Sequence, residues 1–526
     1  MAALLLLLSA PLLQGPSDKD LFDGVLNPIR ATQTEDGAYG DAERTAQVLL
    51  AMALSPRAYR VDDGPFVRDA AAWLVQQVGD TPDADLDPWL ALALAHVHRN
   101  LYAPTVETLV ARHGGTLRGF AMGLTADAPA ATLADRLGAA APADAPRVLS
   151  VYGLQAAYAP EATAPEAVPA PPRMDAEYER GVDFLLAARG ASGMWEMYGQ
   201  VEPGISALAA SALLGSPRED ARAVALQVLD FLLGLQKPDG SIHGGHHAVY
   251  TTSVAIGALL AGGRDEDLSA VGRAVRYLRV TQADEGEGYS EDEKFYGGIG
   301  YGGDLRPDLS NLQFALQAMH DAGVKPEDDA FQRAVRFLER SQNRSESNTG
   351  TYYDQGDPRP VRAGDDGGAT YYPGNSMAGN AEQPDGTLVA RSYGSMTYAL
   401  LKCYVFAGLD TEDPRVAAAV DWIRGHWTLE VNPGFDAMKD PRAGLQGLYY
   451  YYLSLAQALD AAGIEVIETV SGRRHPWRAE LAAKLTTLQQ RDGSWVNAEA
   501  PRWYEGNPVL CTAYVLNAIR ALRGDE

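Results

Sequence analysis

The sequence predicts an all-α protein in which most of the chain forms an α/α toroid of about six helix pairs, preceded by a smaller helical region. The first observation is a phrase, Gln-x-x-Asp-Gly, that occurs at residues 33–37, 236–240 and 489–493. Each copy follows one helix-like stretch and precedes another, so it marks the turn between two helices. A fixed phrase at a fixed structural place is typical of a repeat architecture.

Hydrophobic periodicity predicts the two members of each pair. Before the turn, apolar residues recur at helical spacing, as in Leu226, Leu229 and Leu233, so the first helix is amphipathic and lies outside. Gln ends this helix, and Asp-Gly supplies the turn. After the turn comes a helix that is apolar on nearly every side, which predicts burial. Examples of such inner helices are predicted at residues 251–260, 311–319, 395–406, 447–459 and 512–522.

Turn marks at residues 189, 236, 282, 342, 427 and 489 predict six units between about residues 174 and 523. Arg189 and Trp427 stand where the other four marks have Gln. With six buried inner helices, the pattern favours a closed toroid, and an open curved solenoid is the alternative.

The last copy of the phrase continues as Q-x-x-D-G-S-W at residues 489–495, and residues 391–395 read RSYGS. These motifs and the helix pairs resemble the squalene-cyclase and prenyltransferase repeat superfamily over most of residues 174–523. More narrowly, the chain resembles bacterial prenyltransferase/squalene oxidase repeat proteins of unestablished activity. The resemblance implies a toroid whose inner helices surround a central cavity, but it does not fix the activity, because one fold hosts unrelated chemistries.

Four segments are expected along the 526 residues: a signal segment at 1–15, an N-terminal helical region with partial helix-pair repeats at 20–158, a Pro/Ala-rich linker at 159–173 and the toroid at 174–523. The net charge of −25, without a basic stripe, argues against a nucleic-acid partner. Cys403 and Cys511 fall in predicted inner helices and are expected to be buried free thiols.

Residues 3–13 read ALLLLLSAPLL, which is typical of the apolar core of a secretory signal and too short to span a bilayer. We therefore expect a periplasmic or secreted protein with no transmembrane helix in the mature chain. A misplaced start or a buried N-terminal helix is the alternative, because no basic residue precedes Lys19.

The squalene-hopene-type cyclases that the toroid resembles protonate an alkene with an Asp held in a D-x-D-D phrase. Residues 308–311 occupy that phrase as Asp308, Leu309, Ser310 and Asn311. A serine hydroxyl cannot protonate an alkene. The sequence therefore favours a protein that binds an isoprenoid, another lipid or a polymer in the toroid cavity. The alternative is an enzyme of the terpene cyclase or prenyltransferase type that uses a different acid.

The prenyltransferases of this superfamily hold zinc with Asp, Cys and His, yet neither cysteine here lies in an Asp-x-Cys phrase. His243, His246 and His247 lie together in a glycine-rich loop and are the candidate metal ligands. Because no carboxylate or Cys accompanies them at ligand spacing, a surface loop is favoured. No metal or other cofactor is expected.

Asp304, Asp308 and Glu505 are the candidate catalytic residues, because cleavage of a sugar polymer needs paired carboxyl groups. Asp308 is also placed to cap its helix, which is the favoured interpretation. A hydrocarbon site should be lined by aromatic and aliphatic side chains, whereas a sugar or peptide site should show convergent carboxylates and Arg. The insertion at about 343–389 exceeds the usual loop length and is typical of a lid or binding loop. The expected cavity residues are Tyr296, Tyr301, Arg306, Asn311, Tyr371, Tyr372, Arg391, Tyr393, Tyr449, Tyr450, Trp495 and Trp503.

Overall fold

The computed structural model describes residues 16–159, 170–302, 306–353 and 357–524. The predicted signal segment, most of the predicted linker and the candidate Asp304 lie outside these ranges. In the N-terminal part, the helices are α1 (Asp18–Arg30), α2 (Ala42–Leu54), α3 (Pro65–Gln76), α4 (Asp87–Val97), α5 (Ala103–Ala111), α6 (Leu117–Thr125), α7 (Leu133–Ala139) and α8 (Ala145–Ala157).

Twelve further helices follow as outer and inner members of six pairs. The outer helices are α9 (Asp175–Ala187), α11 (Glu219–Gly234), α13 (Leu268–Val280), α15 (Asp329–Ser341), α17 (Pro414–Gly425) and α19 (Trp477–Leu488). The inner helices are α10 (Pro203–Leu214), α12 (Ala248–Gly262), α14 (Leu309–Asp321), α16 (Gly394–Phe406), α18 (Leu448–Ala461) and α20 (Pro508–Arg523). Short 3₁₀ turns occupy Val61–Asp63, Pro142–Asp144, Asp265–Asp267, Ala443–Leu445 and Arg502–Tyr504.

The six inner helices form a closed ring. Each packs on the next along the chain, and α20 packs back on α10. At that closing contact Asn517 Nδ2 donates to the carbonyl oxygen of Leu208 at 3.1 Å. The outer helices close as well, because Gln489 Nε2 donates to the carbonyl oxygen of Glu177 at 2.8 Å. The predicted all-α toroid is confirmed, and the open solenoid is not observed.

The marker glutamines join neighbouring pairs by the same two hydrogen bonds. Gln282 Nε2 donates to the carbonyl oxygens of Gly297 in its own turn and of Ala330 in the next outer helix, both at 2.9 Å. Gln236, Gln342 and Gln489 make the equivalent pair of bonds. One amide group thus fixes a turn and the following helix together, since an N–H₂ group can donate twice.

The glycine of each turn is required by close backbone packing. A Cβ atom on Gly493, whose φ is +89°, would lie 2.2 Å from the carbonyl oxygen of Arg180. The two units without Gln lack this bridge in its usual form. Trp427 donates its indole N–H to Glu480 of the next outer helix, whereas Arg189 donates to Leu186 in its own helix.

The N-terminal helices form a smaller ring. Helices α2, α4, α6 and α8 contact one another in a cycle, with α1, α3, α5 and α7 outside them. Gln33 Nε2 donates to the carbonyl oxygens of Gly37 and Pro65, so the first copy of the phrase makes the same kind of bridge as the toroid copies.

Ion pairs join this N-terminal ring to the toroid. Arg30 pairs with Asp436 at 3.0 Å, and Arg391 pairs with Asp63 at 3.4 Å. Arg57 donates to the carbonyl oxygen of Pro441 at 2.7 Å. The two rings therefore share a polar contact surface.

The insertion predicted as a loop contains a small mixed sheet of the strands β3 (Thr351–Tyr353), β4 (Pro360–Arg362), β5 (Asn380–Glu382) and β6 (Leu388–Ala390). Their order in the sheet is β3-β4-β6-β5. Strand β4 is parallel to β6, and the other pairs are antiparallel. Its strands span only three residues each, too short for a period of two to be recognised in the sequence. Two further pairs of short strands lie outside the insertion: β1 (Glu196–Met197) with β2 (Gln200–Val201), and β7 (Ile467–Glu468) with β8 (Arg474–His475).

Cys403 and Cys511 are buried free thiols. Across the four described ranges, no helix has both the length and the apolar character needed to cross a membrane.

Candidate functional site

The N-terminal ends of the six inner helices surround a cavity of about 210 Å³, called the toroid cavity below. The largest group of its lining side chains is aromatic: Tyr250, Tyr301, Phe314, Tyr371, Tyr393, Tyr450, Trp503, Tyr504 and Tyr514. The aliphatic members are Met197, Ile205, Met377, Met396 and Leu510, and the polar members include Glu202, His247, Ser310, Asn311, Ser395 and Glu505.

Four aromatic rings form a continuous wall. Phe314 meets Tyr250 edge-on at 5.1 Å between ring centroids and lies 6.1 Å from Tyr450. Tyr450 in turn lies 6.0 Å from Tyr514, whose hydroxyl is 3.4 Å from that of Tyr250. Offset and edge-on contacts of this kind stabilise the wall and leave ring faces free for an apolar ligand.

The start of α14 supplies polar groups to the cavity. The Oγ of Ser310 lies 3.0 Å from the hydroxyl oxygen of Tyr450, which also accepts from Gln313 Nε2 at 3.1 Å. Asp308 is fully buried and caps the helix: its two carboxylate oxygens accept from the backbone N–H and the side-chain amide of Asn311. Asn311 Oδ1 is buried and accepts no hydrogen bond from any described residue. This oxygen can accept a hydrogen bond from a ligand.

Glu505 is a buried carboxyl group at the edge of the cavity. Its Oε1 accepts from the backbone N–H of Tyr450 and its Oε2 from Asn497 Nδ2, both at 2.8 Å. Burial raises the pKa of Glu505 from its ordinary 4.5 to about 7, because these hydrogen bonds only partly offset the loss of hydration. Burial also raises the pKa of Glu202, which caps α10 through the backbone N–H of Ile205.

Backbone strain is concentrated at the mouth of the cavity. His247, Trp503 and Tyr504 have φ values of 51°, 55° and 66°, in the left-handed region that side-chain-bearing residues rarely adopt. Trp503 and Tyr504 are 38% and 46% exposed, and the 86% exposed Tyr198 packs against Tyr504. Such strain costs about 1–3 kcal/mol per residue and occurs preferentially at functional sites. The three exposed aromatic residues at this mouth, Tyr198, Trp503 and Tyr504, are called the rim.

The structure brings together one part of the sequence-predicted set. The residues that line the cavity are Tyr301, Asn311, Tyr371, Tyr393, Tyr450, Trp503 and Glu505. Of the three candidate histidines, only His247 does so, with its ring 5.2 Å from Tyr301. His243 and His246 lie in the preceding loop, where His243 Nδ1 accepts from the backbone N–H of Gly245. No three His, Cys, Asp or Glu residues in the described part of the chain are arranged to hold a metal.

The other predicted residues lie elsewhere, each for a visible reason. Tyr296 donates to Glu285, and the hydroxyl of Tyr449 reaches Val496, away from the cavity. The fully buried Trp495 donates to the carbonyl oxygen of Leu485 in the toroid core.

The remaining three are Arg306, Tyr372 and Arg391. Arg306 is exposed and lies 5.7 Å from the ring centroid of Tyr372, which is buried beside Tyr371. Arg391 belongs to the surface shared by the two rings, where it pairs with Asp63.

Sequence reasoning missed Tyr250, Phe314, Met396, Tyr514 and Glu202. All but Glu202 lie within the first two turns of inner helices, and they were indistinguishable from core residues in helices that are apolar all round. Position along the helix was the signal that could have identified two of them. Tyr250 and Met396 are each the third residue of their inner helix, as is Tyr450, which was predicted.

Residues 201–382 match the family model described as the squalene-hopene cyclase C-terminal domain. This part of the chain is therefore squalene-cyclase-like. No curated protein matches the chain significantly.

Solved structures with a similar fold include a variant of the type II terpene cyclase MstE from Scytonema in complex with geranylgeranyl dihydroxybenzoate. The chain shares 14% identity with it over 67% of its own length and 97% of that chain, with a TM-score of 0.41. A protein from Actinoplanes is 17% identical over 66% of this chain and 98% of its own, with a TM-score of 0.37. The ent-copalyl diphosphate synthase from Streptomyces platensis is 15% identical over 67% of this chain and 92% of its own, with a TM-score of 0.24. Similarity at this level carries no argument about activity.

Proposed function

We propose that the toroid cavity binds one end of an isoprenoid or similar lipid and does not catalyse its cationic cyclisation. The observation that carries this proposal is the aromatic lining at the N-terminal ends of five of the six inner helices, all but α10. Aromatic faces bury apolar surface, and tyrosine hydroxyls near Ser310 and Asn311 can receive a polar tip such as an alcohol.

The acid needed for cyclisation is absent from the expected place, which supports binding over catalysis. Ser310 occupies the position that holds the acid in squalene-hopene-type cyclases, and its hydroxyl contacts Tyr450. Glu505 is a buried carboxyl group that lines the cavity and could be considered as a substitute acid. Its pKa of about 7 makes it a weaker acid than an ordinary carboxyl group. Alkene protonation requires a stronger acid.

The size of the cavity supports insertion of a chain end. Its volume of about 210 Å³ modestly exceeds the ~150 Å³ of a cavity that holds benzene. It is below the ~300–1,000 Å³ typical of sites that enclose a drug-sized ligand. The remainder of a long ligand would leave past the exposed rings of Tyr198, Trp503 and Tyr504.

A binding experiment with geranylgeraniol as the probe tests this proposal. Native mass spectrometry should show one bound probe per chain, and Trp503 fluorescence should change on titration. Leu510→Trp replaces an aliphatic side chain of the cavity wall with a bulky indole ring and should weaken binding at least tenfold. Leu101→Trp makes the same change at an exposed site and should leave binding unaltered.

Comparable melting temperatures of the two variants would show that both are folded. Unchanged affinity in a folded Leu510→Trp protein, or no probe binding by the wild type, would contradict the proposal.

An enzyme remains the second candidate, and Glu505 is the observation that favours it. A carboxyl group with a pKa of about 7 is matched to general acid–base work at neutral pH. Conversion of a bound ligand that is lost in Glu505→Gln, while ligand affinity is retained, would select this function over pure binding.

We further propose that the protein is exported, on the basis of the apolar segment at residues 3–13. N-terminal sequencing of the protein from a membrane-free extracellular or periplasmic fraction tests this. A mature chain that begins after the apolar segment supports export, and a cytoplasmic chain that retains it contradicts export.

A further inference from the structure

A second cavity, of about 570 Å³, lies between the N-terminal ring and the toroid and is called the inter-ring cleft. Its volume is within the range typical of ligand sites, and interfaces between folded units are a common place for them. Asp62 and His98 enter it from the N-terminal ring, and Asp365, Asp366 and His426 enter it from the toroid. Its lining is charged and polar, in contrast to the aromatic toroid cavity.

Asp366 is the aspartate of the Asp-Gly turn in the fourth toroid unit. Its Oδ1 accepts from the backbone N–H of Gly368 at 2.9 Å, as Asp239 Oδ1 accepts from Ser241 N at 3.0 Å in the second unit. In the second unit this carboxylate faces solvent. In the fourth unit the N-terminal ring covers part of it and contributes Asp62 to the same cleft, so that both carboxyl groups are half-buried.

The two covered carboxyl groups lack a cationic partner. In the part of the chain that the structure describes, no Lys, Arg or His nitrogen forms an ion pair with Asp62, Asp365 or Asp366 within 4 Å. Burial and then the charge of Asp62 raise the pKa of Asp366 to about 8, and burial and then Asp365 raise that of Asp62 to about 6. The pair therefore holds a proton at neutral pH.

An independent feature points to a ligand. His426 is only 8% exposed, and its Nδ1 lies 2.8 Å from the carbonyl oxygen of Trp422. Because a carbonyl only accepts, Nδ1 carries the proton and Nε2 is an acceptor. Burial lowers the pKa of His426 to about 3, so the ring is neutral. No donor among the described residues reaches Nε2 of this cleft-lining side chain.

We propose that the inter-ring cleft binds a ligand that carries a primary ammonium group, held by Asp62, Asp366 and His426. Asp366 Oδ1 accepts from the backbone N–H of Gly368 and from Ser392 Oγ, which leaves Oδ2 as the acceptor for a ligand. An ammonium group offers three donors and no acceptor, which matches carboxylate oxygens without a cationic partner and an imidazole Nε2 without a donor. It also supplies the missing counter-charge between two mutually repelling carboxylates. A metal ion fits less well, since its ligand atoms must lie within about 2.0–2.6 Å of it, and no three ligating residues of the described ranges are arranged that closely around one point. Hydrogen bonds from an ammonium group are longer, at about 2.7–2.9 Å, and tolerate a wider arrangement.

Binding of an ammonium group should release a proton from the pair, because the cation stabilises the ionised form of Asp366. The charged groups around the pair modulate this effect. Asp63 and Arg391 form an ion pair beside it, and Arg68 acts on Asp62 from α3. Arg60 lies on the histidine side of the cleft and is bonded to the carbonyl oxygens of Ala53 and Tyr59.

Isothermal titration calorimetry with linear diaminopentane, and with pentanediol as the uncharged ligand of the same length, tests the proposal. Titration at pH 7 in two buffers of different ionisation enthalpy measures the proton count. The diamine should bind with release of close to one proton and more tightly as the pH rises toward 9. The diol should bind at least about tenfold more weakly.

Asp366→Asn keeps an oxygen acceptor for Gly368 and should weaken diamine binding at least about tenfold while abolishing proton release. Asp239→Asn makes the same change in the equivalent exposed turn and should leave binding unchanged. If Asp366→Asn does not fold, Asp62→Asn serves the same purpose. No saturable diamine binding, equal binding of the diol, or unchanged binding in a folded Asp366→Asn protein would overturn the proposal.

Discussion

The toroid cavity contains a buried carboxyl group and the inter-ring cleft contains half-buried ones, and their surroundings differ. In the cavity, both oxygens of Glu505 accept hydrogen bonds, and the surroundings are aromatic. In the cleft, Asp62 and Asp366 line one cavity, and no ion pair with a Lys, Arg or His of the described ranges balances either charge. The cavity is thus suited to an apolar ligand, and the cleft to a cationic one.

The same comparison can be made between copies of one turn. Asp239 and Asp492 accept the same backbone hydrogen bond as Asp366, and hydrogen bonds from Ser241 and Ser494 lower their pKa values. The pKa of Asp366 is raised because the N-terminal ring buries it. An identical local structure therefore acquires different chemistry according to what covers it.

The largest expected effect comes from breaking the frame that supports both sites. Gln342 is fully buried, donates to Gly367 and Arg415, and accepts from the hydroxyl of Tyr404 at 3.0 Å. Gln342→Ala leaves three buried polar groups unpaired and should lower the free energy of unfolding by about 3–5 kcal/mol. Urea denaturation measures this loss.

Gln236→Ala is the matched control, because the equivalent side chain is partly exposed. Water can replace its lost partners, so the expected loss is about 1–2 kcal/mol. Equal losses in the two variants would show that burial does not distinguish the two copies.

The two sites should contribute to stability in different pH ranges. A carboxyl group whose pKa is higher in the folded than in the unfolded protein stabilises the fold at low pH, and this contribution is lost as the pH rises through the folded value. For Glu505 the loss falls between about pH 4.5 and 7 and amounts to about 3 kcal/mol. For Asp366 the loss extends to about pH 8.

Free energies of unfolding measured from pH 4 to 9 check these ranges. Glu505→Gln should flatten the lower part of the profile and Asp366→Asn the upper part. Asp239→Asn should affect only the region below about pH 4, with the opposite sign, because hydrogen bonding lowers the pKa of Asp239. A profile that keeps its wild-type slope above pH 6 in both of the first two variants is incompatible with these pKa shifts.

A smaller effect on stability, but a clear effect on ligand binding, is expected at the rim. Trp503→Gly removes a half-exposed ring but relieves a left-handed backbone, so the free energy of unfolding should change by less than about 1 kcal/mol. Affinity for geranylgeraniol should fall about tenfold, which corresponds to ~1.4 kcal/mol. Tyr353→Gly, at an exposed ring on β3, should not alter affinity. A tenfold loss there too would remove any special role of the rim.

The helix pairs and the closing turns could be predicted from the sequence, because Gln, Asp-Gly and apolar periodicity are local signals. Part of the toroid cavity was predictable as well. Tyr301, Tyr393 and Trp503 stand in loops before inner helices, where a toroid exposes side chains to its centre. Phe314 and Tyr514 could not be recognised, since an aromatic residue in an apolar helix is ordinarily a core residue.

The inter-ring cleft could not be predicted at all. Asp62 and Asp366 lie far apart in the sequence, and only the docking of the N-terminal ring brings them together. The three-residue strands of the insertion were missed for a related reason, because their pairing rather than their own pattern defines them.

The most direct test of the central claim is to incubate the purified protein with geranylgeraniol, count bound molecules by native mass spectrometry, and identify the recovered lipid. We expect one molecule per chain, recovered as unchanged geranylgeraniol. A cyclic isomer would contradict a binding-only role, and absence of a bound molecule would contradict the assignment of the toroid cavity as a lipid site.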